Sequence, residues 1–364
     1  MFKTPGILGV RQIAPNNRPI GISTILESLG RNTGNMIFTE SLNQILVSGK
    51  PVSHNLADEE LVDRDAIVIA AANWINPAND LGTLADRIEK TNLPVFTVGI
   101  GAQSTLDKKI PRITAGTMKL LKVLSDRCAT ISTRGCFSSE VLQYYGIKNS
   151  VPTGCPSLLM AGRNGYMFTQ SASLARVTLH GTRHNFNPAK GIYDVIYKEA
   201  FVRGYDILLQ SETADMIVSN VADVSTSEQK NRATKFVRDA YGAENEEAAV
   251  SFLQTHGRYF TDYESWIAYL KTRTLCVGTR IHGTIASLIA GTPAVLVAHD
   301  SRTLELAEIM GIPHQLSSEI DTEKGLNIES FLDYIKMSGV NTKHTKYIET
   351  FEGFFSENNL RISL

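Results

Sequence analysis

The sequence lacks a strong charge of either sign. Its 36 basic and 37 acidic residues leave a net charge of −1. Proteins that bind nucleic acid generally do so by neutralising phosphates with an excess of lysine and arginine. The balance therefore argues against general nucleic-acid binding, while it leaves room for a local basic pocket.

Long apolar runs are also missing. The longest stretch, near Ala66–Ile75, is much shorter than the ~20 residues that a helix needs to span a bilayer. The opening segment has no sustained apolar core of the kind found in signal peptides. We expect no integral membrane segment and a cytoplasmic location, with peripheral attachment to the inner face of a membrane as an open alternative.

Cysteine is scarce and catalytic signatures are absent. The four cysteines are too widely spaced for a CxxC metal or redox motif, so we expect reduced, mostly buried thiols and no metal site. No GxGxxG follows a strand, and GxxxxGK, GxSxG and HExxH do not occur. These absences argue against a dehydrogenase, a nucleotide hydrolase, an esterase and a zinc protease.

Strand and helix patterns alternate through the first ~150 residues, as in a doubly wound parallel sheet. After a glycine-rich stretch at Gly154–Gly165, the alternation restarts with a strand at Ala175–Leu179. We expect an N-terminal domain over residues 1–165 and a C-terminal domain over residues 166–340. The start through residue 31 should be irregular, with room for a short strand at Ile7–Val10. A last helix over residues 341–364 is free to pack back on the first domain.

The stretch Arg273–Asp300 predicts a βαβ unit, with strands at Thr274–Val277 and Ala294–Ala298 around a helix. Arg280 and His282 lie where the first strand ends and the helix begins. Ligands of open α/β sheets bind at strand carboxyl ends, and a helix N-terminus favours an anion. The pair therefore predicts an anion site, although a histidine here can also be a cap or a core residue.

Other strand ends carry polar side chains. Arg134 follows a predicted strand with no local carboxylate, which makes a ligand anion a fair partner. The loop after Ala175–Leu179 holds Arg183 between His180 and His184. We considered these histidines as metal ligands and rejected the idea, because no carboxylate ligand lies nearby.

With these residues in place, the chain resembles the polysaccharide pyruvyl transferase family. Three segments carry the resemblance: NTGN at residues 32–35, STR at residues 132–134 with the helix and GCP that follow, and residues 279–300 with the Arg-x-His helix. The third is the most specific, and together they span roughly residues 32–314. Gly135 and Cys155 stand where the family usually has aspartate, which leaves the acceptor and the activity open.

The resemblance implies an α/β fold of two Rossmann-like domains that face each other across a cleft, a GT-B-like glycosyltransferase architecture. It also implies transfer of the enolpyruvyl group of phosphoenolpyruvate to two hydroxyls of one sugar, giving a cyclic ketal and phosphate in cell-surface or exopolysaccharide synthesis. Phosphoenolpyruvate would be a co-substrate, with no further cofactor.

The resemblance and residue chemistry together suggest roles. Arg134 and Arg280 would grip the donor's carboxylate and phosphate, and His282 would move protons as a group that titrates near neutral pH. Arg183 is an alternative candidate for binding the anionic donor. The helix start at Gly278, Thr279 and Gly283 would stabilise the departing phosphate.

We expect the acceptor, a lipid-linked or nucleotide-linked saccharide, on the first half of the chain. Amides suit sugar hydroxyls and an indole can cover a sugar ring. The residues proposed for this are Asn32, Gly34, Asn35, Asn73, Trp74, Gly101 and Gln103. The alternative is that Trp74 belongs to the core and the amides belong to turns.

Two rival functions stay open. A nucleotide-sugar glycosyltransferase or epimerase of the same architecture could use Asp300 or Glu305 to contact a ribose. A saccharide- or anion-binding protein that has lost the reaction would account for Gly135 and Cys155. The oligomeric state is not indicated by the sequence.

Overall fold

The computed structural model describes residues 1–17, 21–169, 171–183, 190–220, 224–338 and 343–364. His184, considered above as a metal ligand, lies outside these residues. Within them the chain folds into two α/β halves, each built on a parallel sheet.

The strands of the first half are β1 (Gly6–Leu8), β2 (Lys50–Val52), β3 (Ile67–Ala70), β4 (Val95–Val98), β5 (Ile131–Thr133) and β6 (Ser150–Pro152). Those of the second half are β7 (Val177–His180), β8 (Asp206–Leu208), β9 (Gly257–Arg258), β10 (Leu275–Gly278), β11 (Ala294–Ala298) and β12 (His314–Leu316).

The helices of the first half are α1 (Ile22–Ser28), α2 (Asn35–Ile45), α3 (Asp58–Leu61), α4 (Gly82–Thr91), α5 (Ala115–Arg127) and α6 (Cys136–Tyr144). The later helices of the chain are α7 (Ile192–Arg203), α8 (Thr213–Ser219), α9 (Ser227–Tyr241), α10 (Glu246–His256), α11 (Tyr263–Leu270), α12 (Ile281–Ile289), α13 (Ser301–Met310), α14 (Ile328–Ser338) and α15 (His344–Glu357). Short 3₁₀ helices lie at Pro15–Asn17, Pro156–Ala161, Ser317–Glu319 and Thr322–Lys324.

Both sheets reverse their strand order near the middle. The first runs β2-β1-β3-β4, and a parallel bridge between Ile100 and Thr133 adds the β5-β6 pair at its edge. The second runs β12-β11-β10-β7-β8-β9, the order of a Rossmann fold. Crevices form where the order reverses, beside β1 and β3 in one sheet and β7 and β10 in the other. The predicted α/β class with two Rossmann-like units facing across a cleft is confirmed, while the predicted domain limits stay a prediction.

The core explains why these segments form strands. All residues of β3, β4, β10 and β11 are buried, as expected for parallel strands covered on both faces. One apolar cluster crosses from the first half to the second and takes in Phe38, Leu158 and Ile285. In the part of the chain that the structure describes, we find no helix whose length and apolar character would carry it through a bilayer.

One expectation about the elements was wrong. Residues 1–31 were expected to be irregular apart from a short strand; β1 forms near the expected place, yet α1 also forms and buries Ile22, Ile25 and Leu26 at helical spacing. The short strands β2, β6 and β12 were not predicted, because three residues show no measurable periodicity.

Helix α15 packs against the first half. Beyond it, Val47 and Arg361 share a backbone hydrogen bond of 3.0 Å, and Leu46 pairs with Ile362 in an antiparallel bridge. At the other end of the chain, the Phe2 amide donates to the Asn359 carbonyl at 2.8 Å. The buried aromatic side chains of this helix, which belong to the apolar cluster shared by both halves, are Tyr347, Phe351, Phe354 and Phe355.

Candidate active site

A cavity of about 550 Å³ lies between the two halves, at the carboxyl ends of β1 and β3 on one side and beside β7 and β10 on the other. Seven of the residues predicted for the site line it together: Asn32, Asn35, Asn73, Trp74, Arg134, Arg280 and His282. The lining also includes residues that sequence reasoning missed: Phe38, Asn79, Gln210, Ser211 and Arg302.

Arg280 is the N-cap of α12, and most of its polar groups are held by the protein. Its backbone N–H donates to His180 Nδ1 at 3.0 Å, and its Nε donates to the Gly181 carbonyl at 3.0 Å. Nη2 donates to Ser211 Oγ and to Glu212 Oε1. To the residues that the structure describes, Nη1 makes no hydrogen bond, so one edge of the cation is open to the cavity.

Glu212 is the buried carboxylate that fixes Arg280, and it was not predicted. Its carboxylate accepts the backbone N–H groups of Gln210 at 2.7 Å and Ser211 at 3.0 Å. Burial alone would raise the pKa of Glu212, but the charge of Arg280 and these amides outweigh it and lower the pKa. Its position in the sequence could have identified it, because Glu212 follows β8 at the sheet edge where Arg280 follows β10.

Arg134 lies across the cavity on the first half and is only 1% exposed. Its Nε donates to the Gly99 carbonyl at 2.9 Å, and its Nη2 to the Ala71 carbonyl at 3.4 Å. Gly101 is not part of the cavity lining; a Cβ there would come within 2.8 Å of Arg134 Cδ. The predicted role of Gly101 is therefore corrected: its missing side chain leaves room for the arginine.

Arg302 also lines this cavity, as does Arg31 near its first-half wall. Arg302 follows β11 at the start of α13, and its Nη2 lies 3.6 Å from Asp300 Oδ2. Its position just after the end of β11, at the limit of the Arg273–Asp300 stretch, was the feature of the sequence that could have identified it. Three arginines from three different strand ends thus converge on one cavity.

His282 is 5% exposed and lies among these cations. Its Nε2 is 3.6 Å from Cys155 Sγ, and its ring packs against Phe38 with the ring centres 5.3 Å apart. Cys155, which stands where a carboxylate was expected, is therefore a direct neighbour of the histidine.

Burial, and then the positive charges of Arg134, Arg302 and Arg280, hold the pKa of His282 well below its ordinary value. The imidazole is neutral in the protein alone and can accept a proton. The expectation that it titrates near neutral pH is wrong for the free protein, because the sequence does not show that three cations surround it.

Three buried polar atoms of the lining have no hydrogen-bond partner among the described residues. They are Gln210 Nε2, Asn73 Oδ1 and Arg302 Nε. Buried polar groups in native proteins nearly always find a partner. Their common location gives a polar ligand both donors and an acceptor.

Gly278, Thr279 and Gly283 do not line the cavity, although their neighbours Arg280 and His282 do, and this corrects the phosphate-binding role predicted for the three. A Cβ at Gly278 would overlap the His180 carbonyl, and one at Gly283 would come 2.9 Å from the His180 ring. Thr279 shares a hydrogen bond of 2.8 Å with Thr182. These residues allow close packing of strand and helix.

The amide side chains of the turn before α2 form hydrogen bonds with backbone groups. Asn32 Oδ1 accepts the Gly34 N–H at 2.8 Å, and Asn35 Nδ2 donates to the Leu29 carbonyl at 3.0 Å. Gly34 itself lies outside the lining, and a Cβ there would come 3.1 Å from His282 Cβ. The alternative of turn formation is thus supported for these amides, although Asn32 and Asn35 still face the cavity.

Gln103 also lies outside this cavity, where its carbonyl oxygen accepts a hydrogen bond from Asn73 Nδ2. Trp74 is half-buried, packs on the core of the first half with one side and lines the cavity. Trp74 therefore combines both of the roles considered for it.

The structure does not bring Arg183 to the site. Its Nη2 donates to Asp215 Oδ1, and its guanidinium lies over the Tyr197 ring, 4.0 Å from the ring centre. Tyr241 donates to the same Asp215 oxygen at 2.7 Å. This correction has a clear cause: the partner carboxylate lies on α8, a helix with no sequence signal.

Gly135 is explained by a side chain from the other half of the molecule. A Cβ at position 135 would come within 2.7 Å of Glu305 Cβ. The Glu305 carboxylate accepts the Ser138 N–H at 3.1 Å and the Ser138 hydroxyl at 2.6 Å. A carboxylate from α13 therefore occupies the space beside Gly135 and joins the two halves.

Glu305 should make stability depend on pH. Burial raises its pKa from 4.5 to about 7, so the protonated form stabilises the fold below pH 4.5 and this contribution is lost as pH rises through about 7. A tenfold change in proton affinity corresponds to about 1.4 kcal/mol. We expect Glu305→Gln to flatten the pH dependence of the unfolding free energy across that window, measured by urea denaturation. Glu247→Gln, on an exposed face, is the matched control; equal slopes for both variants would contradict this origin.

His180, the other histidine considered as a metal ligand, is used within the protein. It is buried, it accepts the Arg280 N–H, and burial lowers its pKa to about 3. Its suggested partner, His184, lies outside the described residues.

A family model described as polysaccharide pyruvyl transferase matches residues 32–301. Similar solved structures include UDP-N-acetylglucosamine 2-epimerase from Rickettsia bellii, with a TM-score of 0.38 and 10% identity, covering 98% of this chain and 98% of that chain. Another is a variant of the wall teichoic acid polymerase TagF, with a TM-score of 0.36 and 12% identity, covering 98% of this chain and 84% of that one. Scores this low support no inference about activity. No curated protein matches the chain.

Proposed function

The chain belongs to the polysaccharide pyruvyl transferase family, and from this premise we propose that it transfers the enolpyruvyl group of phosphoenolpyruvate to two hydroxyls of a saccharide. The products are a cyclic pyruvate ketal and phosphate, made for a cell-surface or exopolysaccharide. Phosphoenolpyruvate is the co-substrate, and the proposal needs no further cofactor. We place the reaction in the cytoplasm, with attachment to the inner membrane face left open.

One observation carries the proposal: Arg134, Arg280 and Arg302 converge with His282 in a single cavity. Phosphoenolpyruvate carries a carboxylate and a phosphate, and guanidinium groups bind both in a defined geometry. Nη1 of Arg134 and of Arg280 makes no hydrogen bond to the described residues. Hydrogen bonds of the other side-chain nitrogens fix each arginine, so it can bind the donor without a change in its side-chain conformation.

The proton chemistry suits a histidine that starts neutral. His282 takes the proton of the attacking hydroxyl as the oxygen bonds to C2 of the enol, and the methylene carbon is protonated to a methyl group. The second hydroxyl then displaces phosphate from the same carbon. Two C–O bonds form, the C–O bond to phosphate breaks, and the two hydroxyl protons end on the methyl group and the phosphate. The donor's negative charges would offset the arginines and raise the pKa of His282 during this cycle.

The acceptor is assigned to the first half of the cavity wall. Asn32, Asn73 and Asn79 supply amides there, and the half-buried Trp74 supplies an apolar ring face. Amides both donate and accept hydrogen bonds, which matches sugar hydroxyls. A saccharide against this wall would face the cations of the opposite wall.

The test is phosphate release that depends on phosphoenolpyruvate, screened across lipid-linked and nucleotide-linked saccharides, with the product identified by mass. Acceptor-dependent phosphate with a product enlarged by one pyruvyl ketal supports the proposal. Release of a nucleotide from a nucleotide sugar would support the glycosyltransferase alternative. Tight binding of phosphoenolpyruvate without turnover on any acceptor would support a non-catalytic binder.

No observation favours the nucleotide-sugar alternative. It needs a carboxylate free to contact a ribose, and Glu305, one of the two candidates, is engaged through both oxygens, while Asp300 is engaged through one. The Glu305 carboxylate binds Ser138 through both oxygens. Asp300 caps α13 by accepting the Thr303 N–H at 2.7 Å.

Trp74→Ala and Asn73→Ala should affect binding of the acceptor without affecting binding of the donor. We expect each variant to raise the KM for the acceptor several-fold and to leave phosphoenolpyruvate binding nearly unchanged, since the donor meets the arginines. Steady-state kinetics with each substrate varied in turn measures this. Tyr144→Ala, at an exposed aromatic residue of α6, is the control. Weaker donor binding with an unchanged acceptor KM would show that the two walls are assigned the wrong way round.

A further inference from the structure

A second cavity of about 500 Å³ adjoins the candidate active site. It is lined by Gln103, Ser104, Thr105, Thr182, Tyr193, His299 and Asp300. Thr182 follows β7, His299 and Asp300 follow β11, and the 103–105 segment lies beyond β4. The cavity therefore lies at the carboxyl edges of both sheets, where ligands of this architecture bind.

Direct side-chain contacts join the two linings. Asn73, in the wall of the first cavity, donates a hydrogen bond to Gln103 in the wall of the second. Arg302 of the first lies 3.6 Å from the Asp300 carboxylate of the second. The two cavities are therefore neighbours, and the contacting pairs Asn73–Gln103 and Arg302–Asp300 lie between them.

The second cavity is a built site between the two halves. Ser104 N–H donates to Ser301 Oγ at 3.2 Å, and Ser301 Oγ donates to the Ser104 carbonyl at 3.0 Å. These bonds fix the 103–105 segment against the start of α13. The positions of the lining groups from both halves are thus set before a ligand arrives.

The chemistry of the lining suits hydroxyl groups better than phosphate. Among the described residues that line it, none is a lysine or an arginine. Burial would raise the pKa of Asp300, but the charge of Arg302 and the hydrogen bonds from Thr303 outweigh burial and lower the pKa, which favours the charged carboxylate. Burial keeps His299 neutral by lowering its pKa. One negative charge amid amide, hydroxyl and imidazole groups repels a phosphate and accepts hydrogen bonds from a sugar.

An aromatic ring completes the wall. The Tyr193 ring lies edge-on to the His299 ring, with the ring centres 5.3 Å apart and the planes at 80°. It is half-buried at the start of α7, so part of its face stays accessible. An aromatic face beside hydrogen-bonding groups is a surface on which a sugar ring can pack.

We propose that this second cavity holds an uncharged sugar unit of the acceptor next to the unit that receives the ketal, so that the substrate is a disaccharide or a longer saccharide. This rests on the proposed pyruvyl transfer. The donor and the reacting sugar occupy the first cavity, and the linked unit passes Asn73 and Gln103 into the second.

The experiment compares kcat/KM for a monosaccharide acceptor with that for a disaccharide and a trisaccharide ending in the same reacting sugar. The disaccharide should be preferred about tenfold, and Tyr193→Ala should remove that preference while sparing the monosaccharide. Tyr193→Phe, which keeps the ring, should restore most of it. Tyr144→Ala is the exposed-tyrosine control.

Equal kcat/KM for all chain lengths in the wild-type protein would overturn the proposal. A loss in Tyr193→Ala that is equal for every acceptor would also overturn it. Direct calorimetric titration with the same saccharides separates this outcome from failure of the proposed function. Disaccharide binding that depends on Tyr193 without any phosphate release would retain the sugar site and reject the transfer, whereas no such binding would reject the site.

Discussion

Replacing His282 by glutamine is expected to lower turnover of phosphoenolpyruvate by ~10²–10⁴-fold, the usual contribution of a general acid–base group. Burial and three arginines lower the pKa of His282 and so hold the imidazole neutral in the free protein. The negative charges of the bound donor are expected to raise that pKa, so that the imidazole can take the hydroxyl proton. Glutamine keeps the size and a hydrogen-bonding end near Cys155 but cannot take up a proton. The donor should still bind, because the arginines are unchanged.

The measurement is single-turnover phosphate release with a working acceptor, together with the dissociation constant for phosphoenolpyruvate. His314→Gln is the matched control, since that half-buried histidine in β12 lies outside the cavity lining and its Nδ1 is 2.8 Å from the Ile312 carbonyl oxygen. In the wild-type protein, the acidic limb of kcat/KM should lie below the ordinary histidine pKa of 6.5. Activity within a few-fold of wild type in His282→Gln would show that another group moves the proton.

Arg134→Lys and Arg280→Lys are each expected to weaken phosphoenolpyruvate binding about tenfold or more. A charge-assisted hydrogen bond contributes roughly 1.5–3 kcal/mol, and a lysine cannot reproduce the planar fork of guanidinium. Both arginines use Nε and Nη2 to hold the protein and present Nη1 to the cavity. A lysine would lose either the anchor or the ligand contact.

Arg183→Lys makes the same chemical change away from the cavity. Its guanidinium is engaged by Asp215 and lies over Tyr197, so this variant should lower Tm and leave donor binding unchanged. Equilibrium titration with phosphoenolpyruvate and thermal unfolding of all three variants give the comparison. Equal loss of donor affinity in all three would show that the effect comes from general destabilisation.

The centre of the site could be predicted because its signals are local. The β10–α12–β11 unit combines buried apolar strands with a glycine break, and strand ends in such a unit meet at one edge. Arg280, His282 and Arg134 were therefore predicted, and the structure brings them to one cavity. The local patterns pointed to each residue separately, and the cleft that brings Arg134 to the other two was implied by the family resemblance.

The partners of these residues could not be predicted, because they depend on strand order. Glu212 reaches Arg280 only because β8 lies beside β7, and Arg302 reaches the cavity only because β11 lies beside β10. Arg134 and Arg183 show the same local pattern of an arginine after a buried strand. Only the three-dimensional placement of Asp215 distinguishes the structural cation from the one in the site.

Helix α15 has a consequence for how the protein is made on the ribosome. Thr130 of the first half bonds Asn358, 228 positions later in the chain, and the aromatic side chains that cover this half come from residues still later than the whole second sheet. After β1 to β6 have been synthesised, the surface that α15 covers therefore stays exposed while the second half is translated. The first half to be synthesised should be the last to complete its packing, and the growing chain should depend on chaperones during that interval.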